Sequence, residues 1–543
     1  MQSKFYGLLL VIFVIYNIGL GSWGLTESSE ARYAEISREM VLSGDYLHPT
    51  LLGIQHYHKP PVAYYITTLG YQIFGINEYG ARFFMGIALI FQLFLVFKIA
   101  QLIYRDDKKA FASAIIYFSF PIVLIATRNL TTDAYLMTFV IWSIYLWLQY
   151  KNTAKVAFLY GFYTVLGIAF LTKGPVALIP GLIFIGSWKF FNKEKFRISI
   201  HTIIGSLLFI LVGASWFVAI IIDNPQILNY FIDEQIINRV AAAEKFHRSE
   251  PIWYYLITAP VIGLPWLFFI VYDFIKRRKI IWGEKSVMRI LAVTVLVILI
   301  LFSLFSSKLI LYIMPAYPFL ALLGGGLIFA HSQKTTSVYT KIYLGLFILL
   351  IAGLLVANFI NNITIDLRFA IPLIILIIAA LFFSYRWSRN KLNLRLLYLS
   401  FSFASALLLT HTLFSNNNAY TINSIDEVVD FVKAEKAGNI NKLVVYDYLL
   451  PSAAFYLDTD AVVTLQNDNF YTKRDIRFEK NTDYKDNLIN IATKNGIEKA
   501  NNLILEPDIV LIKRKKTAIK DEFIPAFEKF KHQKEMGKWM IYY

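Results

Sequence analysis

Cysteine is missing from all 543 residues. Disulfides, thiolate metal sites and thiol catalysis are therefore excluded, and no redox mark of compartment is left. Charge is scarce as well. Asp, Glu, Lys and Arg make up 17% of the chain, and the acids are outnumbered 37 to 53. The C-terminal stretch from about residue 415 has no Gly-rich phosphate fingerprint, and no repeat relates the two halves of the apolar part before it. A net charge of +16 is the kind of balance that suits nucleic acid. Here, however, the Lys and Arg residues cluster in short loops between apolar runs, so membrane topology accounts for most of it.

Apolar surface is what the chain has in excess: 57% hydrophobic, 16% aromatic, mean hydropathy +0.53. Runs near the ~20 residues needed to cross a bilayer recur along it. They fall at about 6–25, 82–103, 110–128, 132–150, 156–172, 174–191, 200–222, 253–274, 288–305, 309–330, 340–360, 369–386 and 395–414. The expected fold class is a polytopic α-helical membrane protein with about 13 transmembrane helices and a C-terminal soluble α/β domain. The first run reads as a signal anchor rather than a cleaved leader. Basic loops around Lys98 to Lys109, Lys189 to Arg197, Lys276 to Lys285 and Arg386 to Arg395 share one side, which the positive-inside rule makes cytoplasmic. The loop at 26–81, the loop at 223–252 and the C-terminus then face outward.

Two domains are expected: a transmembrane catalytic domain at 1–414, carrying the outer first loop at 26–81, and an outward α/β domain at 415–543. In the second, LVVYDY, AVVTL and DIVLIK read as strands. DYKDNLINIATKNGIEKA reads as a helix, and Ser424 with Glu427 as a capping box.

The most charged stretch of the front half is TESSEARYAEISREMVLSGDYLHPTLLGIQHYHKPP, residues 26–61. Within it SEARYAEISREMVLSG is a helix, capped by Ser28 or Ser29 and ended by Gly44. An apolar stripe at Tyr33, Ile36 and Met40 would lay this helix along the membrane surface rather than across it, and the blander reading is a solvated amphipathic helix whose charges only keep it wet. Outward polar sites recur downstream: Arg128 and Asp133, Lys173, the segment from Asp233 to Arg239, and Lys308 with Tyr312. Charges at the edge of a membrane are functional candidates. A carboxylate acting as base must reach a hydroxyl, and a phosphate leaving group needs Lys and Arg to offset its charge. The set suits transfer from a lipid phosphate. Blander readings stand beside it: Asp133 as a helix cap with Arg128 as its ion-pair partner, Lys173 and Lys308 snorkelling to headgroups, His56 and His58 as ordinary loop residues.

Glu30-Ala31-Arg32-Tyr33-Ala34-Glu35, Gly44-Asp45-Tyr46, Lys59-Pro60-Pro61 and Phe74-Gly75 through Arg82 carry a resemblance. In order and spacing they are similar to the start of the lipid A aminoarabinose transferases and the wider protein O-mannosyltransferase-like superfamily. The likeness continues through Asp133, Glu234 to Arg239, and Lys308 to Pro315. It implies a GT-C fold and inverting transfer of a sugar from a polyprenyl-phosphate donor to a glycolipid such as lipid A, or to a secreted protein, at the periplasmic face of a bacterial inner membrane. By resemblance Lys59, Arg239 and Tyr312 contact the donor phosphate, with Lys308 beside them, and Arg32 and Tyr33 shape the site. A carboxylate of the first loop, Glu30 or else Glu27, takes the acceptor proton, and Asp133 joins the catalytic acids. No cofactor is needed to activate such a donor, and a divalent metal is left open. The chain departs from the pattern at Ser29, where the family carries Asp, at His58, where it carries Glu, and at Gln235, where it carries His. The alternative is a transporter or flippase of a lipid-linked sugar. Transporters show related halves and polar residues near the midplane, which this chain lacks.

Overall fold

The computed structural model describes residues 2–27, 29–196, 198–233, 250–283, 286–388, 391–436, 439–458, 461–467, 476–480 and 484–543. The chain divides into a helical unit (Met1–Leu20, Lys59–Ala63 and Arg82–Phe414) and an α/β unit (Gly21–His58, Tyr64–Ala81 and Ser415–Tyr543).

In the helical unit, eight helices among the described residues are long and apolar enough to cross a membrane, and ten if two bent pairs are counted. Asp107–Phe118 meets Pro121–Arg128 at 60°, and Tyr254–Ile262 meets Trp266–Lys276 at 111°. Pro121 opens the second helix of one pair and Pro265 precedes that of the other. A proline has no N–H to continue the preceding helix, so each break falls there. The first helix, Gln2–Asn17, is shorter than its apolar run, and Gly19 takes a left-handed φ of 63° just beyond it. The runs at 156–172 and 174–191 form one helical stretch, Val156–Phe191, with only a 3-10 turn at Gly174–Ala177. Pro175 in the first turn of that segment costs no hydrogen bond there.

The helix Ile200–Asp223 leaves Leu207, Leu211 and Ile222 exposed by 60%, 71% and 76%. Apolar surface of that extent needs hydrocarbon around it. Two arginines inside the unit donate to backbone carbonyls. Arg82 is fully buried and donates to the Leu20 carbonyl at 3.2 Å. Arg128 donates to the Tyr16 carbonyl at 2.6 Å and to the Thr412 hydroxyl.

The α/β unit is built on six strands: β3 (Lys442–Tyr446), β4 (Val462–Gln466), β5 (Leu488–Asn490), β6 (Ile509–Arg514), β7 (Gln533–Met536) and β8 (Trp539–Tyr542). Their order is β5-β4-β3-β6-β8-β7. The first four neighbours are parallel, and β8 runs antiparallel to both β6 and β7. A parallel sheet is covered on both faces, and for that reason its strands read as unbroken apolar runs. One face carries Val444, Leu465 and Leu511 against the helix Lys494–Ile504 and Phe523. The other carries Leu443, Val445 and Ile512 against the helix Asp426–Glu435.

Ile36, Met40, Leu51, Leu52 and Tyr64 belong to that second core. The front helix, Ser29–Ser43, is thus part of a protein core, with Glu30, Glu35, Arg38 and Glu39 buried along with its apolar residues. The blander reading, in which these charges only keep the helix wet, is corrected by this packing. Its C-terminal end is as expected, since Gly44 closes it with φ 70° and an N–H to the Met40 carbonyl; at the other end Ser29 is the first helical residue, and Ser28 lies outside the described residues. A short hairpin, β1 (Thr50–Leu51) with β2 (Ile54–Gln55), turns on Leu52 and Gly53 at φ 55° and 73°. Two further expectations shift. The stretch 483–500 holds strand β5 before its helix, because Leu488 and Ile489 pair with Thr464 and Leu465. Ser424 receives the Asp426 N–H rather than forming a box with Glu427.

Candidate active site

In the α/β unit the charged side chains of the front helix are ordered by backbone donors and by one another. Arg38 grips Glu35 with two bonds, at 2.8 and 2.9 Å, and both residues are buried. Glu39 receives the N–H groups of Leu52 and Gly53 at 2.6 and 3.2 Å, which fastens the hairpin turn to the helix. Burial, and then the adjacent Glu35 carboxylate, hold Glu39 above the usual carboxylate range. Glu30 accepts the Thr26 N–H at 2.9 Å and ties down the helix entry, as a capping carboxylate does. Tyr33 lies against Tyr64, 5.6 Å between ring centroids. Arg32 is half-buried on the same helix.

Glu27 precedes the helix and is 5% exposed. Its backbone exchanges hydrogen bonds with Asn423, and its Oε1 accepts the N–H and hydroxyl of Ser452. Its Oε2 is buried with no hydrogen-bond partner among the described residues. Burial pushes this carboxyl up to about 7, against the pull of the Ser452 bonds and of the Arg32 and Lys538 charges. An acid poised there exchanges a proton near neutral pH. His56 and His58 stack at 3.9 Å, and among the described residues no three His, Asp or Glu side chains gather as a metal site.

In the helical unit a second cluster forms. Thr131 caps the helix Thr132–Thr153 by accepting the Asp133 N–H. The Asp133 carboxylate is then left to pair with Lys173 at 2.5 Å. Lys173 in turn sits 5.0 Å from the Tyr312 ring centroid. Lys308 is 3% exposed and donates to the Glu250 carbonyl at 2.6 Å. Burial pulls its ammonium down from the ordinary lysine range, against the pull of the Glu250 carboxylate. Tyr255 donates to the Leu309 carbonyl at 3.0 Å. Lys173 is therefore an ion-pair partner rather than a snorkelling lysine, and Arg128 is bound to carbonyl and hydroxyl oxygens. Lys59 is half-buried. Arg239 lies outside the described residues.

Glu27, Glu30, Arg32 and Tyr33 thus share one segment of the α/β unit, and Asp133, Lys173 and Tyr312 meet in the helical unit. Sequence reading missed Ser452 as the partner of Glu27, since nothing local marks a residue 425 positions away.

Residues 58–219 match the family model of dolichyl-phosphate-mannose-protein mannosyltransferase. An uncharacterized protein of Aquifex aeolicus is 30% identical over 352 residues, covering 63% of this chain and 68% of that one. The undecaprenyl phosphate-alpha-4-amino-4-deoxy-L-arabinose arabinosyl transferase 2 of Pseudomonas fluorescens is 32% identical over 327 residues. That match covers 59% of this chain and 58% of the transferase, a little over half its length. Among solved structures, ArnT from Cupriavidus metallidurans bound to undecaprenyl phosphate superposes with a TM-score of 0.77. The match covers 100% of this chain and 98% of that one at 18% identity, and it bears on the fold.

Proposed function

Since the chain belongs to the GT-C membrane glycosyltransferases, the superfamily of the lipid A aminoarabinose transferases and protein O-mannosyltransferases, we propose that it moves a sugar from a polyprenyl phosphate to an outer-leaflet glycolipid such as lipid A, or to a secreted protein. The observation that supports this most directly is a helical unit whose apolar faces need lipid and whose polar cluster joins Asp133, Lys173 and Tyr312. Such a cluster suits a phosphate delivered on a lipid tail. The membrane is the bacterial inner membrane, and the catalytic residues face the periplasm.

In this mechanism the acceptor oxygen attacks the anomeric carbon opposite the phosphate, the carbon–phosphate-oxygen bond breaks, and the configuration inverts in one displacement. Lys59, Arg239, Lys308 and Tyr312 stabilise the departing polyprenyl phosphate, and Arg32 and Tyr33 shape the site. Asp133 holds Lys173 in place through their ion pair. Glu27 is the better base of the two front acids, because its Oε2 has no hydrogen-bond partner among the described residues and burial raises its carboxyl to about 7. Glu30 is engaged at the helix entry.

Purified protein given a polyprenyl-phosphate sugar and envelope acceptors should release polyprenyl phosphate. Lys59→Ala should abolish release with thermal stability unchanged. Normal turnover by that variant removes Lys59 from the phosphate group, and no release by the natural chain from any such donor removes the reading. Mass spectrometry of lipid A and glycoproteins from cells with and without the gene then names the sugar and the acceptor.

A further inference from the structure

The sheet of the α/β unit reverses its winding at one place. From β3 the chain adds β4 and then β5 on one side, and later returns to lay β6 against the other side of β3. In open parallel sheets such a switch point leaves a crevice beyond the carboxyl ends of the two strands, where ligands bind. The residues there are Tyr448, two positions past β3, and Arg514, the last of β6. The Arg514 guanidinium lies 3.7 Å from the Tyr448 ring centroid. Strand β8 sets Trp539 opposite Arg514, with 5.8 Å from guanidinium to indole, and the Lys538 ammonium is 5.7 Å from the same indole.

Two cations held side by side call for an anion. Neither Arg514 nor Lys538 forms an ion pair with an acid among the described residues. Burial, with the nearby Arg514 charge, pulls the Lys538 ammonium down, and only Glu27 opposes it. Glu27 is a poor counter-ion, because burial keeps much of its charge off near neutral pH. The Arg514 Nε and the Trp539 Nε1 are both buried N–H donors without a hydrogen-bond partner among the described residues, and Trp539 is fully buried. Buried donors left unmet cost stability, so a fold that keeps two of them beside two cations has a use for them. A guanidinium and an ammonium on either side of one indole, with two N–H donors unmet among the described residues, match the acceptor oxygens of a phosphate.

We propose that the switch point between β3 and β6 is a phosphate-binding site in which Arg514, Lys538 and the Trp539 indole N–H take a phosphoryl group, carried by a lipid headgroup or free in solution. The site uses none of Lys59, Lys308 or Tyr312, and it stands whether or not the donor reading does.

The test is calorimetric titration of the full chain, in lipid-free amphipol, with inorganic phosphate and separately with short-chain phosphatidic acid, short-chain phosphatidylcholine being the control. The natural chain should bind at least one of the two phosphate probes. The double variant R514Q/K538Q should bind it about tenfold more weakly or worse, with an unchanged melting temperature, and R514K/K538R should recover most of the affinity. Tighter binding of phosphatidic acid assigns the site to a headgroup, and tighter binding of inorganic phosphate assigns it to a soluble anion. Equal binding by R514Q/K538Q and the natural chain, or no binding of either probe by the natural chain, overturns the proposal and leaves the cluster as packing.

Discussion

Glu27 keeps one oxygen on Ser452 and the other unbonded in a site that exposes 5% of the residue. Its carboxyl rises from 4.5 to about 7 because burial disfavours the charge more than the Ser452 bonds and the Arg32 and Lys538 charges favour it. The fold therefore binds a proton that the unfolded chain releases. The stability that this proton gives is complete below pH 4.5 and is lost as the pH rises to about 7, where it levels off. The whole change is roughly 3 kcal/mol. Glu27→Gln removes the charge at every pH, so its melting temperature should vary less than that of the natural chain across this window. Above neutrality the variant should be the more stable. If Glu27 is also the base, turnover by the natural chain climbs through pH 7 and that of the variant stays low throughout. A difference between the two proteins that does not change with pH would show that this carboxyl is not perturbed.

The helix Ser29–Ser43 shows what can be read from local pattern and what cannot. Its start at Ser29, its stop at Gly44 and its apolar positions Ile36 and Met40 were all legible, since caps and periodicity act over a few residues. The destination of its polar face was not. Glu35, Arg38 and Glu39 look the same in sequence whether they meet water or a set of donors brought from elsewhere in the chain. The strands of the α/β unit were legible for the reverse reason, because burial on both faces leaves continuous runs such as Leu443 to Tyr446. Strand β5 was hidden by its polar flanks. The buried Arg38–Glu35 pair makes the helix fragile in a particular way. Removing Arg38 takes from the buried Glu35 the guanidinium that grips it, at about 3 kcal/mol, whereas replacing both by apolar groups of similar size is close to neutral. Arg38→Met should therefore lower the denaturation midpoint strongly, and R38M/E35L should restore most of it. A double variant as weak as the single one would mean that the pair acts through shape rather than charge.

At the scale of the molecule, the α/β unit draws on two distant parts of the chain. Ile36, Met40, Leu51 and Leu52 are covered by a core that includes Val428, Val432 and Leu450. Deleting residues 415–543 should uncover them, and trypsin should then cut at Arg32 or Arg38 within minutes while the full chain resists at both. Equal resistance would mean that the front segment folds without the sheet.

The absence of cysteine makes the sidedness of the membrane part directly measurable, because any thiol introduced is the only one present. Ser43 and Lys279 are both exposed. Lys276, Arg277, Arg278 and Lys279 form a basic run beside an apolar helix pair, and translocating such a run against the positive-inside bias is unfavourable. The front segment follows the first apolar helix, Gln2–Asn17, and should leave on the opposite side. Ser43→Cys should react with an impermeant maleimide in intact spheroplasts, and Lys279→Cys only after the membrane is opened. Labelling of both in intact spheroplasts would put the basic run and the front carboxylates on one side, and a periplasmic transfer reaction could not then be built on this topology.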